Sequence, residues 1–186
     1  EIIMANRNGR AIRFSESAVR TMGRNATGVR GMVLDDGDDE VVGMVCVNDR
    51  DRETVLVVSD QGYGKRSVVD DYRITNRGGK GVRTLNITDK TGRVVAIKSV
   101  TEDQDLMIIN KSGITLRLRV ADIRQAGRAT QGVRLIDLKK RNDVISSVCQ
   151  VPTDDEEEVE TVDGTELPEA PEATDTNREE DAADNN

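Results

Sequence analysis

The chain has 186 residues, 35% hydrophobic and 33% charged, which allows one ordinary domain and an unstructured segment. It contains no histidine, so a conventional catalytic triad and most histidine metal sites are excluded, and we predict neither catalytic residues nor a metal site. No apolar run approaches the ~18 residues of a membrane-spanning helix, so a membrane partner is not expected. Cys46 and Cys149 lie far apart in the sequence and suit a reducing compartment, which predicts a cytoplasmic protein.

The net charge of −8 conceals two regions of opposite sign. Residues 1–150 carry 26 Lys and Arg against 20 Asp and Glu, whereas residues 151–186 carry one Arg against 15 Asp and Glu. This division is typical of a body that faces nucleic acid and is followed by an acidic tail. Residues 152–186 also hold all three prolines and have too little apolar surface to offset the entropy of ordering, so we predict a disordered tail.

Short apolar runs separated by glycine-containing turns predict three repeats of four strands each. In the first repeat, residues 1–52, the predicted strands are Ile2–Ala5, Arg10–Phe14, Val29–Leu34 and Val41–Val47. In the second repeat, residues 53–103, they are Thr54–Val58, Gly64–Val68, Val82–Ile87 and Val94–Val100. In the third repeat, residues 104–151, they are Leu106–Ile109, Ile114–Val120, Val133–Leu138 and Val144–Val151. Four short strands in ~50 residues are typical of a propeller blade, so we predict an all-β fold of three four-stranded blades.

Arginine recurs in the same register in all three repeats. We number each repeat from the glycine of its first hairpin, which is Gly9, Gly62 or Gly113. Arginine then occupies positions 4, 11, 15 and 21 of every repeat: Arg13, Arg66 and Arg117; Arg20, Arg73 and Arg124; Arg24, Arg77 and Arg128; Arg30, Arg83 and Arg134. On stacked blades these arginines predict a periodic basic surface for duplex DNA, which carries one charge per ~1.7 Å of helix axis. Aromatic residues, at 2%, are too scarce for the stacking platforms that bind single strands.

A glycine-rich turn lies at the centre of the second repeat, from Arg77 to Arg83, and similar turns lie at 23–30 and 127–134. Such turns, flanked by cations, can offer backbone N–H groups and positive charge to phosphates. The predicted phosphate contacts are Arg24, Arg30, Lys65, Arg66, Arg77, Gly78, Gly79, Lys80, Gly81, Arg83, Arg128 and Arg134. A nucleotide-binding loop is not predicted, because Val and Arg follow the last glycine of each turn where such a loop needs Lys and then Ser or Thr.

The arginines have an alternative role that needs no DNA. Each could pair with a nearby carboxylate, such as Glu16, Asp71 or Asp122, and hold its blade together. This structural alternative weighs most for the strand residues at position 4. The two cysteines both fall in predicted fourth strands, and we interpret them as structural residues.

The three repeats closely resemble the C-terminal domain of the DNA gyrase A subunit, a family of six-bladed β-pinwheels. The resemblance is carried by Arg20–Gly31, Gly62–Arg66 and Gly127–Ile136 and covers about residues 1–151. It implies that the chain is the last three blades and the acidic tail of a longer protein, in agreement with a start at Glu1 rather than Met. It also implies a domain that binds and wraps duplex DNA, and so supports ATP-dependent negative supercoiling by a type II topoisomerase.

The same resemblance implies partners and cofactors. The upstream domains of the same polypeptide would hold the catalytic tyrosine, and the gyrase B subunit would complete a heterotetramer. ATP and Mg would be used elsewhere in that holoenzyme, and this fragment would bind no cofactor. The assembly would be cytoplasmic and associated with the nucleoid.

The sequence departs from the family at one motif. The family's box for DNA wrapping, Q-R-R-G-G-R/K-G, belongs to the first blade, and here Thr75 and Asn76 replace its Gln and first Arg. We therefore interpret Thr75–Gly81 as a degenerate copy in a later blade. Two alternatives stay open: the C-terminal domain of the topoisomerase IV A-type subunit, and a propeller-like protein-interaction module without a DNA role. We also expect the acidic tail to compete with DNA for the basic surface.

Overall fold

The computed structural model describes residues 1–35, 37–138 and 143–152. The chain divides into two units, Glu1–Asp154 and Asp155–Asn186, and the described residues all belong to the first. The predicted disorder of the tail therefore lies outside the described residues, except at Pro152, which is the last residue of a strand. None of the helices in the described ranges has the length and apolar character that crossing a membrane requires.

The described residues form eleven strands and three short 3₁₀ helices, which confirms the predicted all-β fold. The strands are β1 Ile2–Asn6, β2 Arg10–Phe14, β3 Val41–Cys46, β4 Thr54–Ser59, β5 Tyr63–Val68, β6 Val82–Arg83, β7 Val94–Val100, β8 Gln104–Asn110, β9 Thr115–Arg119, β10 Val133–Arg134 and β11 Ile145–Pro152. The 3₁₀ helices are Glu16–Ala18, Val69–Asp71 and Val120–Asp122, and each follows the second strand of its repeat.

The strands pair antiparallel into three sheets, with the orders β3-β1-β2-β6, β7-β4-β5-β10 and β11-β8-β9. In the first two sheets, three strands come from one repeat and the fourth comes from the next repeat along the chain. Val82 of β6 pairs with Ala11 of β2, and Val133 of β10 pairs with Gly64 of β5. The predicted repeat boundaries stay a prediction. Each of the first two sheets crosses such a boundary, because it includes one strand supplied by the next repeat; we call this strand the exchanged strand.

The predicted strand Val29–Leu34 is wrong, since its only pairing is a single bridge from Met32 to Gly79. Val29 occupies the same position of its repeat as Val82 and Val133, which do begin strands. Those two valines pair with the second strand of the preceding repeat. Among the described residues no such strand precedes the first repeat, so the backbone at Val29 has no edge to pair with.

The third sheet has three strands within the described part of the chain, where we predicted four. Its second strand, β9, has a neighbour on one side only, and its residues alternate between exposed and half-buried. The hairpin glycines report the same difference. A Cβ atom on Gly9 would lie 2.7 Å from the Leu85 oxygen, and one on Gly62 would lie 2.6 Å from the Ile136 oxygen. A Cβ atom on Gly113 would meet no described atom within 4 Å.

The core is mainly aliphatic, and its two larger clusters lie between the sheets. Along β4, Val55 and Val57 point into one cluster, and Leu56 and Val58 point into a second. The first cluster joins sheets one and two, and the second joins sheets two and three. Burial of each such side chain stabilises the fold by roughly 1.5–3 kcal/mol. A strand that is buried on both faces is continuously apolar rather than alternating, which explains the run of four aliphatic residues in β4.

Candidate nucleic-acid interface

Contacts between successive repeats position the predicted phosphate-binding residues. We call the contact between the first and second repeats the first joint, and that between the second and third repeats the second joint. In each joint a residue at position 4 of one repeat forms a parallel bridge with position 12 of the next, Arg13 with Ile74 and Arg66 with Gln125. The glycine turn follows, and the exchanged strand then pairs antiparallel. The repeated sequence register is therefore a register of contacts between repeats.

The position-4 arginines of the first two repeats are buried parts of the joints. Arg13 donates from Nη1 to the carbonyl oxygens of Val69 and Tyr72, at 2.8 and 2.9 Å, and only 2% of its side chain is exposed. Arg66, with 4% exposed, donates from Nε to the Ile123 oxygen at 2.8 Å. Both bind the 3₁₀ helix region of the following repeat. Arg13 also pairs with Glu1, and Arg66 pairs with Glu102, so the structural alternative holds for both, with carboxylates other than those suggested from the sequence. Arg66 is not available as the phosphate contact that we predicted.

Lys65 is also buried, contrary to the predicted phosphate contact. Its Nζ donates to the carbonyl oxygens of Gly127 and Arg128, at 2.7 and 2.6 Å, and to Ser67 Oγ at 3.1 Å. Burial lowers the pKa of Lys65 to about 8; the negative charge of Asp71 opposes this shift, and the positive charge of Arg128 adds to it. The other repeats carry Ile12 and Leu116 at this position, so the apolar pattern could have indicated that Lys65 points inward.

The position-15 arginines lie at the surface of the joints. Arg77 donates from Nε to the Ala18 oxygen at 2.9 Å and from Nη1 to the Arg30 oxygen at 3.1 Å. Arg128 donates from Nη1 to the Arg83 oxygen at 3.0 Å. The position-15 guanidinium of one repeat therefore contacts position 21 of the repeat before it. These hydrogen bonds orient the guanidinium groups of Arg77 and Arg128, which are both half-buried.

The glycines serve the close approach of turn and sheet. Gly81 has a φ of 69°, and a Cβ atom there would lie 2.4 Å from the Ala11 oxygen. In the second joint Gly132 has a φ of 76° and would meet the Gly64 oxygen at 2.6 Å. Within the second repeat's turn, the Gly78 N–H donates to the Gly31 oxygen and the Gly79 oxygen accepts from Val33. The N–H of Gly78 is therefore engaged by protein, not free for the phosphate contact that we predicted.

Five other predicted cations are exposed. Arg30, Arg83 and Arg134 share position 21 of the three repeats, Arg24 is at position 15, and Lys80 has no cationic counterpart in the other repeats. Arg134 lies 3.7 Å from Asp137 across the surface, a distance at which an exposed pair contributes little. Sequence reasoning left Arg20, Arg73 and Arg124 out of the site although they share position 11, and all three are exposed. Their common position was the pattern that could have included them.

Comparison with known proteins agrees with this architecture. The family model described as DNA gyrase C-terminal domain, beta-propeller, matches residues 1–48, 53–101 and 104–149. The chain belongs to this family. The DNA gyrase A subunit of Staphylococcus aureus strain MRSA252 is 48% identical over 172 residues, which are 89% of this chain and 19% of that protein. The A subunit of strain NCTC 8325 is 49% identical over 158 residues, 85% of this chain and 18% of that protein. The chain thus spans about one fifth of the curated relatives it matches.

Solved structures of the gyrase C-terminal domain and its relatives share the fold. The gyrase A C-terminal domain matches with a TM-score of 0.73 and 29% identity over 80% of this chain and 50% of that one. The C-terminal domain of DNA topoisomerase IV matches with a TM-score of 0.75 and 26% identity over 81% of this chain and 46% of that one. These findings confirm the resemblance and the β-pinwheel class of the fold.

Proposed function

We propose that the chain is the DNA-binding and DNA-wrapping part of a DNA gyrase A subunit. The observation that carries the proposal is the repeated set of exposed cations that the two joints bring to corresponding places on successive repeats. Cations at regular intervals can contact the phosphates of a duplex without reading its bases. Membership in the gyrase C-terminal family supports the same function.

The joints give these cations fixed positions. Arg13, Lys65 and Arg66 are buried and hydrogen-bonded to backbone of the following repeat, which limits rotation of one repeat against the next. Bending a duplex of a few turns costs on the order of 1–6 kcal/mol. Because the repeats are held against one another, the backbone that carries the exposed cations needs no rearrangement on binding, so their contacts can offset that cost. Cations carried by repeats in fixed relative positions are therefore suited to bending DNA as well as binding it.

The proposed holoenzyme is a type II topoisomerase that uses ATP and Mg outside this chain. Its partners would be duplex DNA, the upstream domains of the same polypeptide, and the gyrase B subunit, in the cytoplasm and at the nucleoid. Topoisomerase IV is the second candidate, since its C-terminal domain shares the fold with a TM-score of 0.75. Identities of 48% and 49% to gyrase A subunits favour gyrase, and among the solved structures the gyrase domain is 29% identical and the topoisomerase IV domain 26%.

Duplex binding across a salt series tests the proposal. If about 6 phosphates are neutralised, the logarithm of the association constant should fall with the logarithm of salt concentration with a slope of roughly −5. Replacing Arg24, Arg30, Arg83 and Arg134 by alanine should weaken binding to every duplex sequence alike and make the slope shallower.

A matched control removes the same charge elsewhere. Arg7, Arg50, Arg52 and Arg93 lie outside the repeated positions and form surface ion pairs with Glu40, Asp70, Asp103 and Asp38, respectively. Their replacement by alanine should change affinity much less. Absence of duplex binding, or binding that is insensitive to salt, would overturn the DNA role and favour a protein-interaction module.

A further inference from the structure

A cavity lies in the first joint beside the glycine turn of the second repeat. Its volume is about 220 Å³, and its lining includes Ile12, Arg73, Thr75, Asn76, Gly79 and Lys80. At ~30 Å³ for each water molecule in the liquid, this space holds about seven waters, and so has room for one phosphate group with part of its hydration shell. We call it the joint cavity.

The two joints differ at the place where this cavity lies. In the second joint, Lys65 occupies position 3 of its repeat, and its amine donates hydrogen bonds to the carbonyl oxygens of Gly127 and Arg128. In the first joint, that position is Ile12, which has no donor to offer. The turn differs too, because Gly79 stands where the third repeat has Thr130. A Cβ atom on Gly79 would lie 3.5 Å from Ile12 Cδ1, so the missing side chain contributes to the open space.

The lining of the joint cavity is cationic, and three of its polar side chains lack partners within the described ranges. Arg73, Asn76 and Lys80 are exposed, and their side chains form no hydrogen bond or ion pair with any residue that the structure describes. Thr75 also lines the cavity, and its hydroxyl donates a hydrogen bond to the carbonyl oxygen of Arg13 at 3.3 Å. Two cations and an amide around a pocket of this size can supply the positive charge and the hydrogen-bond donors that one phosphate needs.

We propose that the joint cavity binds one backbone phosphate of the duplex, with Arg73 and Lys80 supplying the charge and Asn76 a neutral donor. This proposal rests on the proposed DNA function and adds a discrete site to it. Arg77 lies at the entrance to the same turn, with its guanidinium held by Ala18 and Arg30. In the second joint the Lys65 amine donates to the carbonyl oxygens of Gly127 and Arg128, and Thr130 takes the place of Gly79. The register of DNA on the repeats would therefore be fixed at the first joint.

A charge-neutral substitution gives the sharpest test. Gly79→Thr installs the residue of the third repeat's turn, and it fills the joint cavity without changing the net charge. Because Gly79 has no positive φ and no close neighbour for a Cβ atom, the fold should accept the change. We expect duplex affinity at 0.1 M salt to fall on the order of tenfold, and the salt slope to lose about 1, as for one phosphate contact. If this variant does not fold, Gly79→Ala is the smaller step.

A pair of double variants controls for charge. Arg73→Ala with Lys80→Ala should lower affinity by at least as much as Gly79→Thr and with the same loss of slope. Arg52→Ala with Lys111→Ala removes the same charge from exposed positions outside the cavity and should change affinity less than threefold, a minor effect of general electrostatics. Equal effects of the two pairs, or an unchanged slope in Gly79→Thr, would overturn the assignment.

A titration with inorganic phosphate separates the sources of the ligand. Amide NMR shifts at Gly79 and Lys80 on adding phosphate, lost in Gly79→Thr, would support an oxyanion site. If free phosphate binds there but all variants keep the duplex affinity of the unchanged protein, the site does not take DNA and the proposal fails. If the unchanged protein does not bind duplex at all, the proposed function fails first.

Discussion

The strands β5 and β9 hold the same place in their repeats but lie in different surroundings. Residues Tyr63–Ser67 of β5 are all buried, because the 3₁₀ helix, turn and exchanged strand of the third repeat cover them. In β9 no described residue supplies such a cover, and its side chains alternate between exposed and half-buried. Burial of these strands is therefore decided by the next repeat and not by their own sequence. The same arginine at position 4 is a buried structural residue in one strand and a half-exposed one in the other.

The largest effect in this comparison should come from the position-4 arginines. Arg66→Ala removes a buried cation and leaves the Ile123 oxygen without its donor inside the joint, and should cost about 2–4 kcal/mol of unfolding free energy. Arg117 is 41% exposed and bonded to Asp105 at 2.6 Å, so Arg117→Ala should cost about 1–2 kcal/mol. Urea unfolding of both variants measures the difference. Similar losses at the two positions would show that the cover over β5 adds nothing.

The hairpin glycines should give the next effect. Gly62 and Gly113 have φ angles of 82° and 84°, so alanine at either adds the same backbone strain of about 1–2 kcal/mol. At Gly62 the new methyl group also meets the Ile136 oxygen at 2.6 Å, and the total cost should reach about 2–4 kcal/mol. Thermal unfolding of Gly62→Ala and Gly113→Ala checks the comparison. If Gly113→Ala were the more destabilising of the two, the claim that the hairpin at Gly113 is uncovered would be wrong.

The smallest effect is a pH dependence that only the covered strand should show. Burial holds the pKa of Lys65 at about 8, below its ordinary value of 10.5, so the folded protein loses the proton more readily than the unfolded chain. Stability should therefore rise between pH 8 and pH 9.5, by about 1–3 kcal/mol if no other group intervenes. The window stays below the titration of Tyr72, whose pKa burial raises.

The control for this pH dependence is Lys65→Met, which keeps the stem and removes the amine. Its unfolding free energy should be nearly flat over the same pH range, whereas Lys111→Met, at an exposed position, should keep the rise. A rise of equal size in Lys65→Met would assign the effect to other groups.

Local pattern and register were enough to predict much of this molecule. The apolar runs located all the long strands, and the spacing of Gly9, Gly62 and Gly113 gave the repeats. The structural role at position 4 was among the alternatives, and Arg13 and Arg66 adopt it. Each of these features depends on residues close in sequence or on a count of positions.

The errors all concern pairing across repeats. Val29–Leu34 has the sequence of a strand but forms only one bridge among the described residues. Lys65 looks like a surface cation until the carbonyl groups of Gly127 and Arg128 are brought to it. A sequence does not show which sheet will receive a strand, because antiparallel pairing depends on a neighbour more than sixty residues away. Contacts between repeats also decide which cations bind the protein itself and which are free to bind DNA.

The exchanged strands bear on how such a domain can gain or lose repeats. The second repeat gives β6 to the sheet before it and receives β10 from the repeat after it, and the hairpin glycines of the three repeats are 53 and 51 residues apart. Duplication or deletion of a whole unit adds or removes one donated strand and one sheet edge that receives a strand. Every donated strand therefore still has an edge to pair with. A break inside a unit separates a strand from the edge that it serves and creates an unpaired edge, which is prone to aggregation. Genetic change in such an array is thereby limited to steps of one period.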